Sequence, residues 1–338
     1  MTGMEFWLPV IWSGLIAVAV IMYVIMDGFD LGIGVLFPFA PDDESRDLMM
    51  NSVAPVWDGN ETWLILGGGG LLAAFPVAYA TILPALYIPV IVMLLALAFR
   101  GVAFEFRFKA SPHNRWVWDL AFAGGSTLAT FAQGVVLGAF IQGFQVADER
   151  FVGGAFDWLT PFVGLTGLAL VAGYGLLGAT WLILKTELEL QDWARNAAVT
   201  LLALVTVFVG AVSLWTPFLD NTIHLRWFTW PNIAYLAPVP IITALAIGRL
   251  YVVVRRGYEV QPFLLAIALF LLSYLGLGIS LYPHVVPHSV SVWEAASHPS
   301  SLLFMLVGIT VLLPIILAYT AYTYWVFRGK VRPGEGYH

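Results

Sequence analysis

Four carboxylates stand in two stretches that otherwise read as membrane-spanning. Asp27 and Asp30 lie in Met26-Asp27-Gly28-Phe29-Asp30-Leu31-Gly32-Ile33-Gly34, and Asp58 and Glu61 lie in Asn51-Ser52-Val53-Ala54-Pro55-Val56-Trp57-Asp58-Gly59-Asn60-Glu61-Thr62-Trp63. A carboxylate in hydrocarbon costs roughly 2.5–3.5 kcal/mol on insertion scales, so such a group faces a protein interior or a wet cavity, or it is neutral. Each pair is three residues apart and shares one helical face, with Tyr23 one turn before Asp27 on the same stripe. Carboxyls held in this way can take up and release protons. Counted at about 1.5 Å per residue, Asp27 and Asp30 fall one to two turns from the inner end of their helix. Asp58 falls about ten residues in, near the midplane, so the acids read as a graded series. The competing reading is structural. Asp58-Gly59-Asn60 after Pro55 marks a kink whose backbone needs side-chain partners, and Arg100 is an ion-pair partner for the acids or snorkels to the surface.

The elements that must position these groups are helices in a membrane. Of 338 residues, 60% are hydrophobic and 11% charged, with a mean hydropathy of +0.86. Soluble domains carry about 25% charged residues. No strand alternation runs through the chain, which favours helices over a barrel. The absence of cysteine excludes disulfides, iron–sulfur clusters and thiolate metal sites. The first residues lack a basic start and a cleavage site and read as a retained first helix. The net charge of −6 offers no nucleic-acid surface.

Apolar runs of spanning length fall at 7–36, 48–75, 79–104, 117–142, 160–185, 196–215, 231–254, 262–282 and 301–327, which predicts nine transmembrane helices. Pro76 is the one clear break between the second and third, so an eight-helix reading would fuse them or leave 51–63 outside the membrane. Basic residues favour nine. Arg100, Arg107, Lys109 and Arg115, then Lys185 and Arg195, then Arg255 and Arg256, then Arg328, Lys330 and Arg332 all fall on one side. Positive charge marks that side as cytoplasmic, placing the N-terminus outside and the C-terminus inside. The acidic connection from Ala40 to Asp47 lies inside against this trend. Trp215, Trp227, Trp230, Trp293 and Trp325 stand near span ends. Glycines within spans, Gly67 to Gly70, Gly134, Gly138, Gly164, Gly167, Gly173, Gly175 and Gly178, read as close helix packing. Nothing divides the chain, so 1–338 is expected to be one membrane domain.

All six histidines, His113, His224, His284, His288, His298 and His338, fall in connections or the tail. Axial haem ligands in a span would have to be Met22, Met26, Met49, Met50, Met93 or Met305, which read as core. His284, His288 and His298 share one outer connection, where Pro287 and Pro299 favour an irregular loop over a metal site. No metal and no redox centre of its own are expected in this chain.

At these residues the chain resembles subunit II of the cytochrome bd-type quinol oxidases, with the cyanide-insensitive branch included. The resemblance rests on Asp27–Gly32 and Asn51–Trp63, with Ala73-Ala74-Phe75-Pro76, Phe99-Arg100-Gly101, Trp293-Glu294-Ala295 and Pro314-Ile315-Ile316-Leu317-Ala318-Tyr319-Thr320. It implies an all-α integral membrane fold of about nine helices, arranged as two four-helix bundles plus one peripheral helix. It implies a heterodimer in the bacterial cytoplasmic membrane. Subunit I carries haem b and haem d (or a further b) and oxidises ubiquinol or menaquinol, while dioxygen is reduced to water with cytoplasmic protons and without pumping. Some members add a small accessory subunit, and some hold a structural quinone in subunit II. By the same resemblance Asp58, Asp30 and Asp27 lie on a proton path, joined by Glu61, where some relatives have an uncharged residue. Trp63, with Trp57, is associated with an oxygen route or the subunit interface, and Asn60 and Arg100 with polar support. Two rival classes compete, a proton-coupled secondary transporter and a purely structural subunit. The clustering of the acids in the first two helices argues against the transporter.

Overall fold

The computed structural model describes residues 3–332 and 334, so His338 lies outside the described residues. The described residues form twelve α-helices and two short hairpins. In order they are α1 (Gly3–Leu36), α2 (Asp43–Val53), α3 (Trp57–Ala74), α4 (Pro76–Arg107), α5 (Arg115–Gln142), α6 (Pro161–Lys185), α7 (Leu188–Trp215), α8 (Asn221–Phe228), α9 (Asn232–Leu236), α10 (Pro238–Arg255), α11 (Val260–Leu281) and α12 (Pro299–Val326). The hairpins pair Val146–Ala147 with Arg150–Phe151 and His284–Val286 with Val290–Ser291.

Eight helical segments are long and apolar enough to cross a membrane. A further long helix, α3, is not among those eight, and its 18 residues include two acids and five glycines. Its length of about 27 Å nearly matches a hydrocarbon core. Its first turn contacts Asp30, and its last carbonyl, on Ala74, accepts from the Ser297 amide in the connection before α12. The fused form of the eight-helix alternative therefore fails, and so does the continuous second span at 48–75. Pro55 has no amide to extend α2, and the chain restarts at Trp57. The polar α2 is capped by Asp42, whose Oδ1 accepts from the Ser45 amide at 2.7 Å.

Helices α1, α3, α4 and α5 make one bundle, and α6, α7, α10 and α11 a second, joined where α6 packs on α1 and α5. Glycine permits that junction. A Cβ on Gly32 would sit 1.9 Å from the Tyr174 carbonyl oxygen, and one on Gly178 would sit 2.5 Å from the Gly32 carbonyl carbon. Gly68, Gly69 and Gly164, by contrast, face open space, so the packing expected of them does not occur within this chain. Helix α12 is peripheral, with one buried residue, Leu302. Its far end is tied down. Lys185 Nζ donates to the carbonyls of Phe327 (2.5 Å) and Gly329 (2.6 Å), the Val331 amide donates to the Lys185 carbonyl, and Lys330 pairs with Glu259 at 2.9 Å.

The basic connections share one end of the molecule, as the charge pattern predicts. The acidic 40–47 connection belongs there too, because Asp47 pairs with Arg107 and lies near Arg115.

Candidate functional site

Arg100, on α4, is fully buried and is the hub of the site. Its Nη1 donates to Asp27 Oδ1 at 2.8 Å and to Glu61 Oε1 at 2.6 Å, and its Nη2 lies 3.8 Å from Asp30 Oδ2. It does not snorkel. The planar fork suits several carboxylates at once. The guanidinium carbon sits 5.6 Å from the Trp57 ring and 5.7 Å from Phe104, and those two rings stack at 4.8 Å. Asn60 bridges the helices. Its Nδ2 donates to Asp30 Oδ2 at 2.7 Å and to the Met26 carbonyl, and its Oδ1 accepts from the Tyr324 hydroxyl on α12 at 2.9 Å.

Asp27 and Asp30 are completely enclosed, whereas the Glu61 side chain keeps 27% of its exposure and opens the cluster to the α3 surface. Several buried atoms have no hydrogen-bond partner, among them Asp27 Oδ2, Asp30 Oδ1, Arg100 Nε and Nη2, and Trp63 Nε1. Three carboxyls thus face one guanidinium.

The acids do not form a ladder. Asp27, Asp30, Glu61, Asn60 and Arg100 meet at one level, roughly 9–14 Å from the end of α1. Asp58 lies farthest from its expected depth. The break at Pro55 leaves it in the first turn of α3 rather than ten residues into a continuous helix, and its side chain points outward, apart from the ion-pair cluster. Trp57 is half-buried against Phe104, and Trp63 is buried one helical turn beyond the cluster, toward α1 and α12.

Other participants had no signal in a motif. Arg107, two turns along α4, is fully buried, donates from Nε to Asp119 Oδ1 at 2.5 Å and contacts Asp47. Phe104, Phe122 and Phe37 pack edge to face at 5.0 Å between the Arg107 tier and the Arg100 tier. On the inner side, Gln133 of α5 and Tyr174 of α6 join Tyr23 in a buried hydrogen-bonded row. Gln133 could have been flagged, because a lone amide inside the span 117–142 needs a partner.

No described histidine lies in a spanning helix. His298 caps α12, and His288 Nε2 contacts the Ile141 carbonyl while its Nδ1 lies 3.6 Å from Asp220. The connection histidines thus serve separate local contacts, and no His/Cys/Asp/Glu group among the described residues could hold a metal. Asp220, pushed up by partial burial but held down by hydrogen bonds from Thr222 and by nearby His288, has its carboxyl below the ordinary range. It borders a cavity of about 390 Å³ shared with Gln142, Gln145, Asp157, Trp158 and His288. Buried Met26, Met49, Met50 and Met93 pack in the apolar core.

A family profile described as cytochrome bd terminal oxidase subunit II matches residues 8–327. Cytochrome bd-I ubiquinol oxidase subunit 2 of Escherichia coli K12 is 31% identical over 95% of this chain and 94% of its own length. Cytochrome bd ubiquinol oxidase subunit 2 of Bacillus subtilis is 30% identical over 96% of this chain and 97% of its own. A chain of the bd oxidase from Geobacillus thermodenitrificans has the same fold, with a TM-score of 0.75 at 17% identity over 95% of this chain and 99% of that one.

Proposed function

The chain belongs to the cytochrome bd terminal oxidase subunit II family, and from that premise we propose that it is the haem-free subunit of a quinol:oxygen oxidoreductase of the bacterial inner membrane. In this reading subunit I holds the haem b and haem d (or second haem b) groups and oxidises ubiquinol or menaquinol. This chain supports subunit I and brings it cytoplasmic protons. The N-terminus lies outside and the basic end faces the cytoplasm, in keeping with the gathering of positive residues at one end.

One observation carries the proton role. A single buried guanidinium is surrounded by three carboxyls, two of which keep an unpartnered oxygen. Fully ionised, that cluster would hold two more negative charges than positive, which a buried site does not tolerate without taking up protons. Asp30 and Glu61 are the exchanging groups, Glu61 opens to the α3 surface, and the outward Asp58 beside it serves as the surface acceptor. Trp57 lines this side, Trp63 faces α1 and α12, and Asn60 and Arg100 hold the acids in place. The groove beside Trp63 is lined also by Trp12, Ile16 and Leu313. A transporter would need a matching site in its second half, yet the buried charges Asp27, Asp30, Arg100 and Arg107 all lie in the first bundle, with Lys185 alone in the other.

The test is oxygen consumption by the assembled complex. Asp30→Asn and Glu61→Gln should each slow turnover by roughly a hundredfold, the low end for a positioned proton donor, with the haem spectrum intact. Unchanged turnover refutes the reading. Loss of haem and assembly would favour the purely structural role, to which the Arg100 ion pairs also lend support.

A further inference from the structure

The cluster has an inner branch with a defined donor order. The Tyr174 hydroxyl donates to Gln133 Oε1 at 2.8 Å, and Gln133 Nε2 donates to the Tyr23 hydroxyl oxygen at 2.8 Å. All three side chains are buried. Having accepted from Gln133, the Tyr23 hydroxyl still has its own proton to give. Asp27 follows one turn later on α1, interacts with Tyr23, and carries the buried, unpartnered Oδ2. An unmatched donor and an unmatched acceptor therefore stand side by side. With the amide reversed, Tyr23 would spend its proton on Gln133 and the carboxylate oxygen would stay bare. An amide donates and accepts but passes on no net proton without tautomerising, so the row is not a conduit.

We propose that Tyr174, Gln133 and Tyr23 are positioning residues that aim a polarised row of donors at Asp27, fixing it as the permanent anionic partner of Arg100 and leaving Asp30 and Glu61 to load and release protons. Hydrogen bonds in such a row strengthen one another, and donors that favour an anion keep it ionised. The three acids differ accordingly. Asp27 takes a direct charged contact from Arg100 at 2.8 Å, while Asp30 stands 3.8 Å from that guanidinium and accepts from a neutral amide. The other ionisable groups around Asp27 are Glu61 from α3, Asp30 on its own helix, and Tyr324 from α12 behind Asn60.

The assignment rests on the proton-handling reading above, and the test separates the two. Infrared spectra of the assembled complex in the carboxyl C=O region are compared for wild type, Tyr23→Phe and Tyr23→Phe/Asp27→Asn. Tyr23→Phe should gain a protonated-carboxyl band at neutral pH that the double variant lacks. The low-pH fall of its turnover should move up by about one pH unit, the equivalent of one hydrogen bond to a charged group. Should Tyr23→Phe fail to assemble, Tyr174→Phe, at the far end of the row, should show the same band more weakly. A variant spectrum identical to wild type overturns the assignment. If Asp30→Asn still slows turnover in that case, the proposed function survives without it; if Asp30→Asn turns over normally, the proposed function itself falls.

Discussion

Replacing Arg100 with leucine removes a cation that reaches three carboxyls, and the structure sets the size of the effect. Two charge-assisted hydrogen bonds, to Asp27 at 2.8 Å and Glu61 at 2.6 Å, are lost from a fully buried group. Each is worth roughly 1.5–3 kcal/mol. Breaking a buried pair from one side costs about 3–5 kcal/mol, because the remaining charge is left uncompensated. Protonation of the orphaned acids recovers part of that, so the expected loss is about 3 kcal/mol or somewhat more. Lys109 is the control: its contact with Glu105, at 3.5 Å, joins side chains that are 71% and 55% exposed. Lys109→Met should change stability by less than about 1 kcal/mol. Both variants would be unfolded with increasing SDS in mixed micelles and followed by tryptophan fluorescence, to which Trp57 against Arg100 reports locally. An Arg100→Leu loss no larger than that of Lys109→Met would refute the view that this guanidinium organises the site.

The orientation can be read with cysteine, which the chain naturally lacks. Exposed Ser289→Cys should react with an impermeant thiol reagent in intact cells, and exposed Glu187→Cys should react only after lysis; the opposite pattern reverses the topology. The tail strap should weaken in acid. Glu259 is held below its ordinary range by the Lys330 hydrogen bond and then by Gln191, so its contribution is complete above about pH 4.3 and fades as pH falls further. Glu259→Gln imposes the neutral state at pH 7, and tryptic cleavage at Arg328 and Lys330 should accelerate by up to about fivefold, the equivalent of an exposed ion pair.

Much of the helical layout was legible because the bilayer leaves few choices: spans must be apolar, and buried charges must find one another. That logic alone brings Asp27, Asp30 and Arg100 into consideration. Depth along the chain was not legible in the same way. Pro55 interrupts the second crossing, so residue counting through it misplaced Asp58, and the supposed series of acids became a single layer. The row from Tyr23 was less accessible still, since Gln133 and Tyr174 lie 110 and 41 residues from the partners they bond. Tyrosines within apolar runs resemble ordinary core until the fold brings an amide beside them. The sense of Arg100 was likewise open until packing chose for it, because the same residue could have reached the surface had α3 not laid Glu61 and Trp57 across its path.

The polarity of α3 also bears on how the polypeptide reaches the membrane. Asp58, Glu61 and five glycines make this segment a poor candidate for lateral release from a translocon by itself. Its partner is immediate: α4 starts at Pro76, one residue after Phe75, and is strongly apolar. The pair would then partition as one helical hairpin, the apolar helix carrying the more polar one, with the charge on Glu61 masked once Arg100 emerges on the second leg. On that route, insertion of this segment would wait on a counter-charge that stands 39 residues later in the chain.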